Sequence, residues 1–402
     1  MNQETSPLVV GAGPVGLGAG LFLRKAGMAP RLIEAAEQPS NHSKALAVNP
    51  RTLELLEASG VTKKMLAVGL RIQGVRLRLG AKQVGWLSLH PIKHKYPFML
   101  ALSQAATERL LTEAFEAGGG TVERGTKLVG CRYAEGGVEA ELEHSADRSL
   151  ETVRCPWLLA ADGAHSTART ALNLKFNGSS FEEPWHLADV PLSTRLEENL
   201  AHISLYEDGG FTFLLRVVDE TSEQKPGPKL WRVISSRPGL LEAIPDTTIA
   251  GAPVWTSEFR ISHRINERLQ LGGIYFAGDA AHVHSPMGAR GMNLGLEDAW
   301  VFSRLVQSGR IESYESLRKT CDSNVVRRVE VLSRTILAES FGARLARTMF
   351  LTVLIKLPFT RNKLLTAVTG LDHPLDPAEP EAPAAASGEP GFPESRAHRH
   401  AH

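Results

Sequence analysis

Hydrophobic and polar residues follow two rhythms along this chain. Leu8-Val9-Val10 is a short unbroken apolar run ending at Gly11, the pattern of a strand buried on both faces. Pro14 to Ala26 then suits a helix, with Pro14 in the first turn where its missing N–H costs nothing, and Gly27 closes it. Arg31-Leu32-Ile33-Glu34 reads as the next strand, so the start of the chain predicts a β–α–β unit. Arg51–Ala58 and Ala105–Ala117 predict further helices, the latter stopped by Gly118-Gly119-Gly120. Trp157–Ala161 predicts another buried strand, running into Asp162-Gly163. In the middle the period changes to two. Ala201, Ile203 and Leu205 alternate with His202, Ser204 and Tyr206, and Phe211, Phe213, Leu215 and Val217 resume the alternation after Asp208-Gly209-Gly210. Val75, Leu77 and Leu79 alternate likewise with Arg76 and Arg78. This patterning predicts antiparallel sheet with one covered face. From Val301 to Thr369 the chain reads mostly helical.

The expected fold class is therefore α/β: a Rossmann-like domain over residues 1–179, an inserted antiparallel sheet over 180–270 that segment 72–99 joins, and a return to the first domain with C-terminal helices over 271–371. Residues 372–402 are rich in Pro, Ala, Glu and Ser, bury too little to offset their chain entropy, and are expected to be a disordered tail. Its alternating His398, His400 and His402 read as solvated rather than metal-binding.

Composition narrows the function classes. With Lys+Arg 45 against Asp+Glu 44 the formal charge is +1, which supplies no field for a nucleic-acid backbone. Cys131, Cys155 and Cys321 fit neither a disulfide framework nor a zinc spacing, and point to thiols in a reducing cytoplasm. Met1–Pro7 lacks the basic and apolar regions of a secretory signal. The longest apolar run, Met349–Ile355, is far short of the ~20 residues that span a bilayer. The stretch Leu345–Phe359 is expected to pack against the domain rather than lie on a membrane surface.

Three segments carry candidate chemistry. The first is Gly11-Ala-Gly13-Pro-Val15-Gly16 with Glu34 closing the second strand. Its glycines permit a tight turn, close approach of a pyrophosphate and helix–strand packing, while Glu34 is placed to accept from ribose hydroxyls and disfavours a 2′-phosphate. The second is Ile274-Tyr-Phe-Ala277-Gly278-Asp279-Ala-Ala-His282, followed by Pro286, Gly288, Gly291, Met292 and Asn293. It reads as a buried strand ending in a carboxylate, then a helix start whose free N–H groups suit negative charge; a loop with a capping Asp is the plain alternative. The third is Asp162-Gly163-Ala-His-Ser166-Thr-Ala-Arg169, which by itself is a loop with a Ser cap.

Together, and in this order, the segments resemble the single-component FAD-dependent aromatic hydroxylases of the p-hydroxybenzoate hydroxylase type, most closely the branch acting on phenols and aromatic polyketides, over residues 6–371. The resemblance implies a glutathione-reductase-like FAD domain, bound FAD, a transient NADPH or NADH donor, and hydroxylation of an aromatic secondary metabolite by O2 through a flavin C4a-hydroperoxide. It implies that Gly11, Gly13, Val15, Gly16 and Glu34 hold the ADP half of FAD. Gly278 and Asp279 would hold the ribityl and pyrophosphate, and Pro286, Gly288, Gly291, Met292 and Asn293 the flavin end. Asp162, Gly163 and Arg169 would support FAD and the nicotinamide donor, and Gln104 would contact the flavin. Two departures stand out. Lys44 occupies a position where the family usually has arginine near the FAD phosphates, keeping the charge but not the planar fork. The thioredoxin-like C-terminal domain of many relatives has no counterpart after residue 371.

A phenolic substrate is helped by a base that takes its proton. His202, Tyr206 and Arg216 are the polar candidates in the alternating strands, with ordinary surface positions as the plain alternative. His282 and His284 read as structural hydrogen-bonding groups beside the second glycine turn, and Trp185, Trp231 and Trp255 as core or pocket wall. Other FAD oxidoreductases on this fold stay open (a Baeyer–Villiger-type oxygenase, an epoxidase, a reductase), as does a non-catalytic flavin- or ligand-binding protein. A halogenase is disfavoured, because no Trp-x-Trp-x-Ile-Pro segment occurs. The expected partners are an aromatic small molecule and O2, and the chain is expected to be a monomer or homodimer.

Overall fold

The computed structural model describes residues 6–39, 45–80, 82–218, 227–239, 247–337, 340–353, 355 and 357–375. Its first sheet orders six strands as Gln270–Leu271, Ile274–Phe276, Leu158–Ala160, Leu8–Val10, Arg31–Glu34 and Val122–Arg124. All pairs are parallel except the edge pair Gln270–Leu271 with Ile274–Phe276. From Leu8–Val10 the chain passes through the helix Pro14–Lys25 to Arg31–Glu34 on one side and later returns at Leu158–Ala160 on the other. Strand order reverses there, and a crevice opens beyond the carboxyl ends of two strands that diverge in this way. Gly11 has φ +99°, and a Cβ on it would lie 2.4 Å from the Ala161 carbonyl oxygen, so only glycine serves this corner.

A second sheet runs His282–Val283, Trp255–Asn266, Phe176–Thr194, Lys229–Ser235, Phe211–Arg216, Leu200–Leu205, Gly74–Leu79 and Lys82–Ser88, with Thr247–Ile249 beside Phe176–Thr194. It is antiparallel except where Leu200–Leu205 pairs parallel with Gly74–Leu79. The early hairpin 74–88 is thereby built into the sheet formed mainly by the middle of the chain. Alternation predicted one covered face, but both faces bury side chains. Leu214, Trp231, Val233, Val190 and Leu192 form a separate apolar cluster on the reverse face. Trp231 and Leu214 stand where a solvated face would carry polar side chains, so strict alternation underestimates how much this sheet hides.

Helices Gly291–Gln307, Tyr314–Leu337, Phe341–Thr352 and Pro358–Thr369 end the described chain. The first crosses Pro14–Lys25 at very close range: a Cβ on Gly295 would meet Val15 Cγ2 at 2.5 Å and Gly278 Cα at 2.8 Å. That approach brings the two glycine turns together. Among the described residues no helix is long and apolar enough to cross a membrane.

The chain does not detach at residue 372 as composition implied. Asp372 pairs with Arg290 and Arg328, and His373 Nε2 lies 2.6 Å from the buried Glu297 Oε2. These are polar contacts, invisible to a count of apolar side chains. The rest of the expected tail, 376–402, lies outside the described residues.

Candidate active site

The strand Leu8–Val10 delivers Gly11 to the crevice, and Glu34 at the end of the neighbouring strand fixes the turn. Its Oε2 accepts from the Ala12 N–H at 2.7 Å and its Oε1 from the Ala36 N–H at 2.9 Å. The helix Pro14–Lys25 starts at Gly13 with no side-chain cap, and a Cβ on Gly13 would meet nothing within 4 Å. An uncapped helix N-terminus facing open space is an anion site. Gly16, by contrast, is consumed by packing, since a Cβ there would lie 1.8 Å from the Gly11 carbonyl oxygen.

The strand Ile274–Phe276 delivers the second turn. Gly278 has φ +58° and presses on Val15; Asp279 beside it is exposed on the wall of the cavity. A wholly buried ionic network holds this turn from behind. Asp298 Oδ2 accepts from the Gly278 N–H at 2.9 Å and contacts His282 Nε2 at 2.8 Å. Asp298 Oδ1 takes Arg318 Nε at 2.7 Å, and Arg318 Nη2 reaches Asp322 Oδ1 at 2.8 Å. Burial lowers the His282 pKa, but Asp298 and Asp322 outweigh it and raise it to about 9. His282, Asp298 and Asp322 converge as metal ligands could, yet Arg318 already binds both carboxylates, so the cluster is an ion-pair network.

Asp162 Oδ2 accepts from the Thr167 and Ala168 N–H groups at 2.7 and 3.3 Å, capping the short helix Thr167–Ala171. Burial holds its carboxyl above the usual range. Arg169 Nη1 donates to the Ala280 carbonyl at 3.3 Å, with its guanidinium 4.1 Å from the centre of the Phe176 ring. It ties the third segment to the second. Gln104 Oε1 accepts from the Ala45 N–H at 3.1 Å.

One cavity of about 1190 Å³ joins these parts. Gly13, Val15, Gln104, Gly163, Arg169, Asp279, Pro286, Gly288, Gly291 and Met292 line one end. The other end is an apolar chamber walled by the sheet, including Leu77, Trp185, Ile203, Phe213 and Leu215, and roofed by Phe350, Leu351 and Leu364 from the last helices.

Several expected residues lie elsewhere. Asn293 is fully buried and faces away from the cavity; its Oδ1 accepts from the Asn49 N–H and its Nδ2 donates to the Ala47 and Ala289 carbonyls. It stitches the helix start to a neighbouring strand. The three base candidates do not line the cavity: their immediate neighbours Ala201, Ile203, Leu205 and Leu215 do, and the candidates themselves are turned away from it. His202 Nε2 contacts the Glu197 carbonyl at 2.9 Å, Arg216 pairs with Glu198 at 3.0 Å, and the Tyr206 hydroxyl meets Thr212 Oγ1 at 2.5 Å. Burial pushes His202 down. Lys44 lies outside the described residues.

Of the polar groups that line the cavity, Arg232 and Arg347 were not singled out from sequence, and His284 was read there only as a structural hydrogen-bonding group. Arg232, within the apolar strand Lys229–Ser235, grips Asp189 through two 2.8 Å bonds. His284 donates from Nδ1 to the Ser285 carbonyl at 2.8 Å, leaving Nε2 without a partner among the described residues, and burial pushes its pKa down to about 3. Arg347 is 1% exposed; it donates to the Ile336 and Tyr206 carbonyls at 2.9 and 2.5 Å. It has no carboxylate in ion-pair contact among the described residues, and its Nε is unpartnered there. An isolated arginine inside an apolar helix face was the available signal.

Comparison with known proteins gives the arrangement its family. Residues 4–329 match the family model described as FAD binding domain. The chain belongs to this FAD-binding family. A 6-methylpretetramide 4-monooxygenase of Streptomyces rimosus is 34% identical over 311 residues, which cover 73% of this chain and 54% of the relative. Pentachlorophenol 4-monooxygenase of Sphingobium chlorophenolicum is 28% identical over 310 residues, covering 74% of this chain and 57% of the relative. The chain thus spans little more than half the length of these two relatives. Among solved structures, p-nitrophenol 4-monooxygenase PnpA from Pseudomonas putida superposes with TM-score 0.78 at 19% identity, covering 92% of this chain and 98% of that one.

FAD is the family's cofactor, and the residues present fit it. The open face of Gly13, the two helix starts free of side-chain caps at Gly13 and Arg290, and exposed Asp279 surround one continuous space. A dinucleotide needs such a set: donors for phosphate, acceptors for ribose and ribityl, and an apolar slot for a ring system.

Proposed function

We propose that this protein is an FAD-dependent monooxygenase that uses NAD(P)H and O2 to hydroxylate an aromatic small molecule of phenolic or polyketide type. The observation that carries the reading is the continuity of one cavity from the two glycine turns into an apolar chamber. Walls of aliphatic and aromatic side chains bury most of a flat ring system and leave orientation to a few polar groups. Bound FAD supplies electron transfer from the nicotinamide and activation of O2.

The chain's own residues bind, orient and exclude water. Glu34 accepts from ribose hydroxyls, and the N–H groups at the start of Pro14–Lys25 face the pyrophosphate. Asp279 accepts from the ribityl chain, and Gly291 and Met292 at the second helix start donate to negative charge on the flavin ring system. The sheet and the roof helices keep water from the reacting atoms. Arg347, a buried cation, holds an ionised phenolic oxygen at the chamber end. The three free thiols suit a reducing cytoplasm, and a cavity built from one chain serves a monomer or homodimer alike.

The test is turnover by the purified yellow protein with isotopically labelled O2 and a panel of phenols and polycyclic aromatics. Substrate-stimulated NAD(P)H oxidation with label in the organic product is expected. Oxidation without labelled product would make the protein a reductase, and no stimulation by any aromatic would make it a binder.

A further inference from the structure

An ion pair interrupts the apolar floor of the cavity. Trp255, Asp189, Arg232 and Leu215 stand opposite one another on adjacent strands of the large sheet. Arg232 Nε and Nη2 donate to different oxygens of Asp189, and the two side chains are 2% and 11% exposed. Arg232, Trp255 and Leu215 line the cavity. Trp185, Leu187 and Ile234 line it too, each an even number of residues away on the same strands, so the pleat sets Asp189 and Arg232 on the cavity face. The Trp255 ring centre lies 5.2 Å from the Arg232 guanidinium. Taking two charges out of water is costly, and apolar residues of similar size often hold a fold as well or better. Stability does not account for this pair, and its place on the cavity wall points to a ligand.

Arg347 marks a second polar point of the same chamber, beside the Tyr206 carbonyl at the end of the strand Leu200–Leu205. Arg232 faces Leu215, whereas the Tyr206 N–H donates to the Gly210 carbonyl, two strands across and five residues along. At about 4.8 Å per strand and about 3.4 Å per residue, the two points lie roughly 20 Å apart. Leu215, Phe213, Ile203 and Leu205 cover the floor between them. That span is far longer than one aromatic ring. The two ends also differ in chemistry. Arg347 has no carboxylate in ion-pair contact among the described residues and suits an anion. Arg232 is neutralised by Asp189, and a pair of this kind suits an uncharged polar group, which can meet it as acceptor or donor, better than a second anion. We propose that the Arg232–Asp189 pair is a specificity determinant: it takes an uncharged hydroxyl, carbonyl or carboxamide at the end of the substrate remote from the oxygen held at Arg347. This rests on the monooxygenase reading of the cavity given above.

The experiment compares 2-hydroxyanthracene with 2,6-dihydroxyanthracene, which carries a hydroxyl at each end, by calorimetric titration of the full-length, flavin-loaded protein. The parent is expected to bind the dihydroxy compound about tenfold more tightly, the effect of one hydrogen bond to a charged group. The double variant Asp189→Leu/Arg232→Met removes both charges together, so neither is left buried alone, and its preference should fall to about one. Equal affinity of the parent for the two compounds, or an undiminished preference in a double variant that melts as the parent does, would overturn the proposal. The parent's preference is read without any variant, so the test stands even where the double variant misfolds. Turnover with labelled O2 is scored separately. A preference without labelled product would keep the subsite and remove the monooxygenase reading; labelled product from both compounds at equal affinity would do the reverse.

Discussion

A few side chains carry the chemistry, and each can be questioned singly. Asp279 sits exposed on the cavity wall, whereas Asp298 is buried behind it and holds the Gly278 N–H. Asp279→Ala is expected to lower the flavin-to-protein absorbance ratio after purification with little change in apoprotein melting. Arg347→Gln removes a buried charge from the chamber end. A charge-assisted hydrogen bond is worth about 1.5–3 kcal/mol, so KM for a phenol should rise about tenfold or more while KM for its methyl ether barely moves. Equal losses for both would make Arg347 a support for the roof only. His282 links stability to pH. Its pKa rises from 6.5 unfolded to about 9 folded, so its contribution is complete below pH 6.5 and is lost as pH climbs through about 9. The melting temperature should fall across that window, and His282→Gln should flatten the fall. His373, raised to about 11 with Asp372 and Glu297 outweighing its burial, extends the same sign to higher pH.

At the scale of elements, close helix packing decides whether the two glycine turns meet. The glycine turn after Leu8–Val10 was legible because a strand, a glycine corner and Pro14 occur in immediate succession. Gly295 was not, because an isolated glycine inside a helical run signals nothing until the helix it approaches is known. Gly295→Ala should cost about 1–3 kcal/mol, since the added carbon meets Val15 and the Gly278 backbone rather than a yielding side-chain tip. Thermal melting of apoprotein and flavin retention would both fall; a variant that melts as the parent does would show that the helices can part. The meander Thr126–Ala134, Gly137–His144, Leu150–Cys155 escaped prediction although Val138, Ala140 and Leu142 alternate with glutamates. Its inward residues were too few to stand out from the surrounding charge. Alternation also announced the large sheet without showing which face of each strand met the cavity. His202, Tyr206 and Arg216 were therefore candidates without a face, and none of them lines the cavity.

For the whole molecule, the end of the chain is the sharpest revision. Composition marks residues after 371 as unable to build a core, but Asp372 lies in ion-pair contact with Arg290 and His373 with Glu297, which sit next to the second glycine turn and its helix. Truncation after Leu375 should leave melting and turnover intact. Truncation after Leu371 should lower the melting temperature by several degrees, because it strands a buried guanidinium and a buried carboxylate. Identical melting of the two truncations would show that those ion pairs contribute nothing. The C-terminal helices act at this scale too, closing the cavity with one face and leaving the other apolar.

What the sequence determined alone was local and periodic: the β–α–β start, the two glycine turns, Glu34 and Asp279 at strand ends, the change from mixed to antiparallel patterning. Such features follow from backbone sterics and from the periods of helix and strand, which need no knowledge of distant residues. The tertiary structure alone decided which face of each sheet strand lines the cavity, where the buried Asp298–Arg318–Asp322 network anchors a turn, and that Arg347 ends in the chamber. Those depend on desolvation and on charges brought together across large separations, and neither has a signature within a short window of sequence.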